Sequence, residues 1–246
     1  MLTKNKIKLI NSLSVKKNRL NYGLFVAEGK KTIEDLLDNF LCEMLFYISN
    51  VENKYYADCQ EEITKSELNK ISFLEHPQEM LAIFKMPVHS FNVENLLGKL
   101  TLVLDNIQDP GNLGTIIRIA DWFGIENIIC SIGTADAYSP KTVQATMGAI
   151  GRVKIFYHNL SDFFEILDNR LPIYGSMLDG EDIYSQCLSN EGIIVMGNEG
   201  NGISKEVEQW IKRRIFIPNY PTGRKTSDSL NVAVATAIVC SEFRRR

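Results

Sequence analysis

Ser229-Leu230-Asn231-Val232-Ala233-Val234-Ala235 opens an apolar helical pattern near the C-terminus, and two stretches upstream answer it. Asn112-Leu113-Gly114-Thr115-Ile116-Ile117-Arg118 opens a helix after one apolar strand, and Gly197-Asn198-Glu199-Gly200-Asn201-Gly202 follows another. All three stand at strand-to-helix junctions. In an open α/β sheet such junctions lie beyond the carboxyl ends of the strands, where ligands bind.

Outward from these stretches, apolar runs predict strands at 100–104, 128–130, 153–157, 173–175, 193–196 and 215–217. Helical periodicity falls at 112–123, 140–147, 160–171 and 204–210, with a last helix at 229–243. Nearly continuous apolar strands alternating with helices imply a parallel sheet covered on both faces. The first part is a smaller α/β series, with helices at 4–13, 30–39 and 66–72 (the last capped by Ser66) and strands at 24–27, 44–48 and 80–84. That series stops at Met86-Pro87, and the stretch after it has the composition of a linker. The expected division is a small domain over 1–88, a linker over 89–98 and a larger domain over 99–246.

The 246 residues suit two compact cores, and 45% apolar with 23% charged residues is ordinary for a globular chain. No apolar run approaches bilayer length, and the N-terminus has no signal-peptide pattern. The five cysteines are widely spaced without a CxxC, so free thiols in a reducing cytoplasm are expected, with no metal or disulfide framework. The net charge of −3 conceals an uneven distribution. Residues 1–31 hold eight Lys or Arg against Glu28, and residues 212–246 hold eight against Asp228 and Glu242. Such ends are either solvated faces or phosphate-binding surfaces. On the second reading Lys16, Lys17, Arg19, Lys30 and Lys31 supply the contacts.

Pro110-Gly111 predicts a turn ahead of a helix capped by Asn112, and helix N-termini favour anions. Arg118 lies further along that helix, as either a salt-bridged surface residue or a functional one. The loop Gly197–Gly202 is not a P-loop, since no Lys-Ser/Thr follows it, and it stands too late in the series for a dinucleotide fingerprint. Its Glu199 suits a neutral or cationic ligand better than pyrophosphate. A plain connecting loop with a capping Glu also explains it. Ser229 is the expected cap of the last helix, which leaves Asn231 without a structural reason.

These residues resemble the three motifs of the SpoU/TrmH family of RNA 2′-O-ribose methyltransferases, within the SPOUT superfamily. The first is matched by Asn112, Gly114, Arg118 and Phe123-Gly124, the second by Gly197–Gly202, and the third by Ile217-Pro218 with Ser229–Val232. Ser139-Pro140-Lys141 and Gly148-Ala149 add to the likeness, which covers about 98–246. The first part is similar to the family's RNA-binding domain of the ribosomal-protein L30e type, through Arg19 and Phe25-Val26-Ala27-Glu28-Gly29.

The resemblance implies an α/β parallel-sheet domain with a C-terminal trefoil knot, preceded by that small α/β RNA-binding domain. It implies S-adenosylmethionine as cofactor, held near Ser176, Met177, Gly197, Gly202, Ile217 and Leu230. Arg118, Glu199, Asn112, Ser229 and Asn231 are the implied catalytic set, in a cytoplasmic homodimer acting on ribosomal or transfer RNA. Ten residues, 219–228, intervene between Ile217-Pro218 and Ser229, more than is common in the family. Gln144 stands where many members have arginine, and Ala233 replaces a frequent serine. Two other functions fit parts of the pattern: an RNA-binding protein that keeps the fold without catalysis, and a nucleotide-dependent oxidoreductase or ligase using the glycine loop.

Overall fold

The computed structural model describes residues 2–49, 57, 59–221, 224, 227 and 229–245. Its elements begin with α1 (Lys4–Ser12), α2 (Lys16–Tyr22), β1 (Leu24–Glu28), α3 (Lys30–Leu37), β2 (Cys42–Tyr47), β3 (Cys59–Glu62), α4 (Lys65–Leu68) and β4 (Met80–Lys85). They continue with β5 (Leu100–Leu104), α5 (Pro110–Trp122), β6 (Asn127–Ser131), α6 (Pro140–Thr146), β7 (Lys154–His158) and α7 (Leu160–Leu167). The series ends with β8 (Ile173–Asp182), β9 (Gly192–Met196), α8 (Lys205–Glu208), β10 (Arg213–Phe216) and α9 (Val232–Arg244). Two compact units result: Met1–Val88 with Asp136–Arg152, and His89–Ala135 with Val153–Arg246.

In the smaller unit a four-stranded sheet has the order β1-β4-β2-β3, with β4 antiparallel to both neighbours and β3 parallel to β2. Its core gathers Ile10 of α1, its C-cap residue Leu13, and Val26, Phe46, Leu81 and Ile83 of the sheet. Residues 136–152 group with this unit rather than with the sequence that flanks them. The Tyr138 ring lies 5.1 Å from Phe25 of β1, and Gly148, at φ 89°, is backed by the Asp35 side chain. Arg19, expected among the phosphate contacts, is 2% exposed and wholly internal. Its guanidinium donates to the Asp136 carboxylate and to the carbonyls of Leu13 (2.6 Å) and Ser14 (2.8 Å). Ser66 is likewise not a cap. Thr64 accepts from Glu67 N while the Glu67 carboxylate accepts from Thr64 N, a reciprocal capping box.

Glu28 is 4% exposed at the end of β1 and accepts hydrogen bonds from Ser72 Oγ and, at 2.7 Å, Phe73 N. Burial raises its carboxyl above the usual 4.5, outweighing the two hydrogen bonds that act the other way. A folded pKa above the unfolded one means stability present below pH 4.5 and lost as pH rises through the folded value. Glu28→Gln keeps an acceptor for Phe73 N and offers Ser72 a donor. The variant is expected to match or exceed the wild-type melting temperature at pH 7 to 8 and to lose this part of the pH dependence. Melting curves across pH test it, and a large loss of stability at neutral pH would show that the negative charge is needed.

The larger unit holds a six-stranded sheet in the order β10-β8-β9-β5-β6-β7, parallel throughout. β5, β6 and β9 are buried along their whole length, as parallel strands covered on both faces should be. The stretch before β5, expected as a linker, packs here: Leu96 is in the core and Phe91 and Val93 lie against it. The chain runs from β5 outward through β6 to β7, then returns to place β9 on the other side of β5. The connections therefore diverge between β9 and β6, with β5 at the switch point, which puts the favoured ligand crevice at the carboxyl ends of these strands.

Two expected caps are reassigned. Asp109, not Asn112, caps α5, accepting from Asn112 N at 2.8 Å ahead of Pro110. Asn231, not Ser229, caps α9, its Oδ1 accepting from the N–H groups of Ala233 and Val234. At the far end of α9, the Arg244 guanidinium donates to the carbonyls of Phe123 and Gly124, placing a cation on the C-terminus of α5.

Candidate active site

The three sequence stretches meet at one carboxylate oxygen. Glu199 Oε1 accepts from Asn112 Nδ2 at 2.9 Å, Asn231 Nδ2 at 2.8 Å and Val232 N at 3.1 Å. Asn231 Nδ2 also donates to Asn112 Oδ1 at 2.9 Å, which closes the triangle. The Asn231 amide is thus used twice: its oxygen starts α9, and its nitrogen ties that start to the other two motifs. That answers why an asparagine stands there.

The loop carrying Glu199 is a small hairpin. Asn198 N donates to Gly202 O at 2.9 Å and Gly202 N returns a bond to Asn198 O at 2.8 Å. Gly202 has φ 67°, the left-handed region, and a Cβ on Gly197 would overlap the backbone of Gly202 and Ile203. The hairpin is fastened to the end of β5 by residues given no role in the sequence reading. Asn198 Nδ2 donates to Asn106 O at 2.8 Å, and Ser204 N donates to Asp105 Oδ2 at 2.7 Å. Asp105 is 2% exposed, and its other oxygen takes Asn106 Nδ2 at 3.0 Å. A carboxylate directly after the apolar run 100–104 was the available signal, since a charge at that depth needs donors.

The remaining expected residues distribute along the same edge. β8 pairs with β9 only through Gly175 and meets β10 again at Glu181, so Ser176 to Gly180 leave the ladder opposite the step between Arg214 and Ile215. Ser176 and Met177 lie in this excursion, with Met177 packed against the core of the larger unit. Ile217 follows the end of β10, which stops at Phe216. Leu230 is exposed just before the α9 cap. Neighbouring parallel strands lie about 4.8 Å apart, so the exits of β10, β8, β9 and β5 span about 15 Å. Ser229 is exposed and has no hydrogen bond among the described residues. Within the long connection noted in the sequence, Thr222, Gly223, Lys225, Thr226 and Asp228 lie outside the described residues.

Arg118 does not join the triangle. It is exposed and without an ion-pair or hydrogen-bond partner among the described residues. Six residues along α5 place it about 9 Å from Asn112 along the axis and on another face. The chemistry of the donor set favours a neutral or cationic ligand. The stretch from Gly197 to Ile203 contains the Glu199 carboxylate and no cation, so a pyrophosphate would meet like charge there.

A parallel α/β sheet with its site on the strand exits beside the switch point defines a ligand-binding domain of the doubly wound class. Within that class, a model of the SpoU rRNA Methylase family matches residues 99–241, and the chain belongs to that family. A model of the MRM3-like substrate binding domain matches residues 4–82. Among curated relatives, the 23S rRNA (guanosine(2553)-2′-O)-methyltransferase of Bacillus subtilis is 29% identical, over 97% of this chain and 96% of its own. Among solved structures, a putative RNA methyltransferase of the TrmH family from Porphyromonas gingivalis is 40% identical with a TM-score of 0.89, covering 100% of this chain and 99% of its own. An AdoMet-bound rRNA methyltransferase from Sinorhizobium meliloti is 31% identical with a TM-score of 0.87, covering 100% and 96%.

Proposed function

We propose that this protein is an S-adenosylmethionine-dependent RNA methyltransferase that modifies a ribose 2′-hydroxyl, with ribosomal RNA as the favoured substrate class. The observation that carries the reading is the convergence of Asn112, Asn231 and the Val232 amide on Glu199 Oε1. A pure RNA binder has no use for a carboxylate organised by three separate motifs at the strand exits. The Bacillus subtilis and Sinorhizobium meliloti relatives described above, both named as rRNA methyltransferases and the second holding AdoMet, agree with it.

S-adenosylmethionine, when bound, supplies an electrophilic methyl group on a sulfonium. The residues assigned to it are Ser176 and Met177 after β8, Gly197 and Gly202 in the hairpin, Ile217 after β10, and Leu230 before α9. With the cofactor bound, a ribose 2′-oxygen would take its methyl group, a neutral thioether would be left, and the hydroxyl proton would pass to water. This chain's part is alignment and charge stabilisation. Glu199, Asn112 and Asn231 hold the loops in register, and Ser229 at the mouth of α9 offers a hydroxyl to the reacting groups. A guanidinium is a poor base, so the role of Arg118 is to bind the neighbouring phosphate and stabilise the developing alkoxide.

An exposed Arg118 outside the triangle supports a homodimer in which each subunit lends its arginine to the other's site. The trefoil knot and a cytoplasmic location belong to the same reading. Among the described residues no helix is long and apolar enough to cross a membrane.

The deciding experiment incubates the protein with methyl-labelled cofactor and ribosomal RNA, then maps the label after nuclease digestion. Label on a ribose 2′-oxygen is expected. Cofactor binding with no transfer to any RNA would leave a binding protein that has kept the fold. Affinity for NAD or ATP with none for S-adenosylmethionine would overturn the assignment.

A further inference from the structure

We infer that Asp136 is a positioning residue for the methyl-transfer step: held by the buried Arg19, it fixes the loop that presents Asn112. This rests on the function proposed above.

The chain passes from the larger unit to the smaller one between Ala135 and Asp136. On the smaller unit's side, every polar group of Asp136 that can accept is engaged. Oδ2 takes Arg19 Nε and Nη2, Oδ1 takes Tyr138 N at 2.9 Å, and the carbonyl takes Thr142 Oγ1 at 2.9 Å and Ser139 N at 3.1 Å. The arginine is as fully committed, since its Nη1 is held by two carbonyls at the end of α1. A guanidinium this buried, with both its carbonyl partners on the backbone, has no alternative geometry to relax into.

One peptide bond earlier, Ala135 is equally fixed to the site. Its N–H donates to Ile107 O at 2.8 Å, and its carbonyl accepts from Tyr157 Oη at 2.5 Å. Thr134 Oγ1 donates to Leu104 O at 3.2 Å, so the stretch 134–135 grips the end of β5 and the loop after it. Ile107 stands between Asn106, whose carbonyl holds the Glu199 hairpin through Asn198, and Asp109, which caps the helix bearing Asn112. From Arg19 to Asn112, each step is a covalent bond or a hydrogen bond between fixed groups. A displacement of Asp136 is therefore passed to Ala135, and through Ile107 to the loop that carries Asn112.

The test uses the full chain with Asp136→Asn and Asp136→Glu. Asparagine removes the charge and one of the two carboxylate acceptors, so Arg19 keeps its two carbonyls but loses the ion pair to Asp136. Glutamate keeps the charge and the ion pair but lengthens the side chain by one methylene. Turnover is measured per bound S-adenosylmethionine, so that only folded sites count, and amide exchange is followed at Ala135. Asp136→Asn is expected to lower turnover about tenfold, the scale of a small misalignment of reacting groups, with cofactor affinity and RNA KM within about threefold of wild type. Its Ala135 amide should exchange faster. Asp136→Glu should regain thermal stability without regaining turnover. Wild-type turnover per site and unchanged Ala135 exchange in Asp136→Asn would overturn the inference. So would full recovery of both stability and turnover in Asp136→Glu, which would make the pair a stabilising contact only and decides the matter if the asparagine variant fails to fold. A wild-type protein that transfers no methyl to RNA would instead sink the proposed function, and the exchange measurement would then judge the coupling alone.

Discussion

Arg118→Ala is expected to lower turnover on RNA by about 10²-fold or more, the scale of removing one preorganised charge stabiliser, while S-adenosylmethionine binds as in wild type. The split follows from placement. Arg118 touches none of Asn112, Glu199 or Asn231, so the triangle and the glycine hairpin survive its loss. If the protein is the homodimer proposed above, a second measurement tells which subunit's site it serves. Mixing Arg118→Ala with Glu199→Gln protein and allowing exchange gives heterodimers with one intact and one doubly altered site if the arginine acts across the two-fold. Half the dimers are then mixed and half their sites intact, so about a quarter of wild-type activity should return. If Arg118 acts within its own subunit, every site stays damaged and nothing returns. Normal methylation by Arg118→Ala alone would remove the residue from the mechanism.

Gly197→Ala should have the other large effect, and for a reason internal to the protein. The added Cβ overlaps the backbone of Gly202 and Ile203. Those atoms can retreat only by undoing the paired bonds between Asn198 and Gly202, which move Glu199 away from Asn112 and Asn231. Overpacking of this kind costs about 1–3 kcal/mol. Cofactor affinity and turnover should each fall by about 10²-fold, since a 1.4 kcal/mol misfit is already tenfold. Gly200→Ala is the control. Its Cβ would meet only Asn198 Oδ1, at 3.5 Å, an ordinary contact, so binding should stay near wild type. Titration calorimetry on both variants checks this, and equal affinities would mean that the hairpin's shape does not matter to the ligand.

The strands of the larger sheet were legible because β5, β6 and β9 are apolar on both faces, a pattern that survives without knowledge of partners. The three motifs were legible as a set that belongs together, and they meet at Glu199, but their caps were misassigned. Asn112 and Ser229 each have a capping side chain, and only the three-dimensional demand of Glu199 shows why Asn112 is used otherwise and why Asn231 both caps α9 and ties it to the site. β3 was missed because Cys59-Gln60-Glu61-Glu62 is polar and becomes a strand by pairing with β2 at a sheet edge. α2 was missed because Lys16–Tyr22 buries Arg19, a residue that periodicity counts as a surface position. The grouping of 136–152 with the smaller unit was beyond reach of any local pattern, since it depends on Phe25 and Asp35, more than a hundred residues away in the chain.

That grouping bears on how such a protein can be re-engineered. Covalent traffic between the units occurs at three places, after residues 88, 135 and 152. A truncation at 88 would strip Tyr138 of Phe25, leave Asp136 without Arg19, and take Asp35 from behind Gly148. The recognition module is therefore no cassette. A chimera meant to redirect the enzyme to a new RNA would have to transplant residues 1–88 and 136–152 together, as a graft with two scions on one stock.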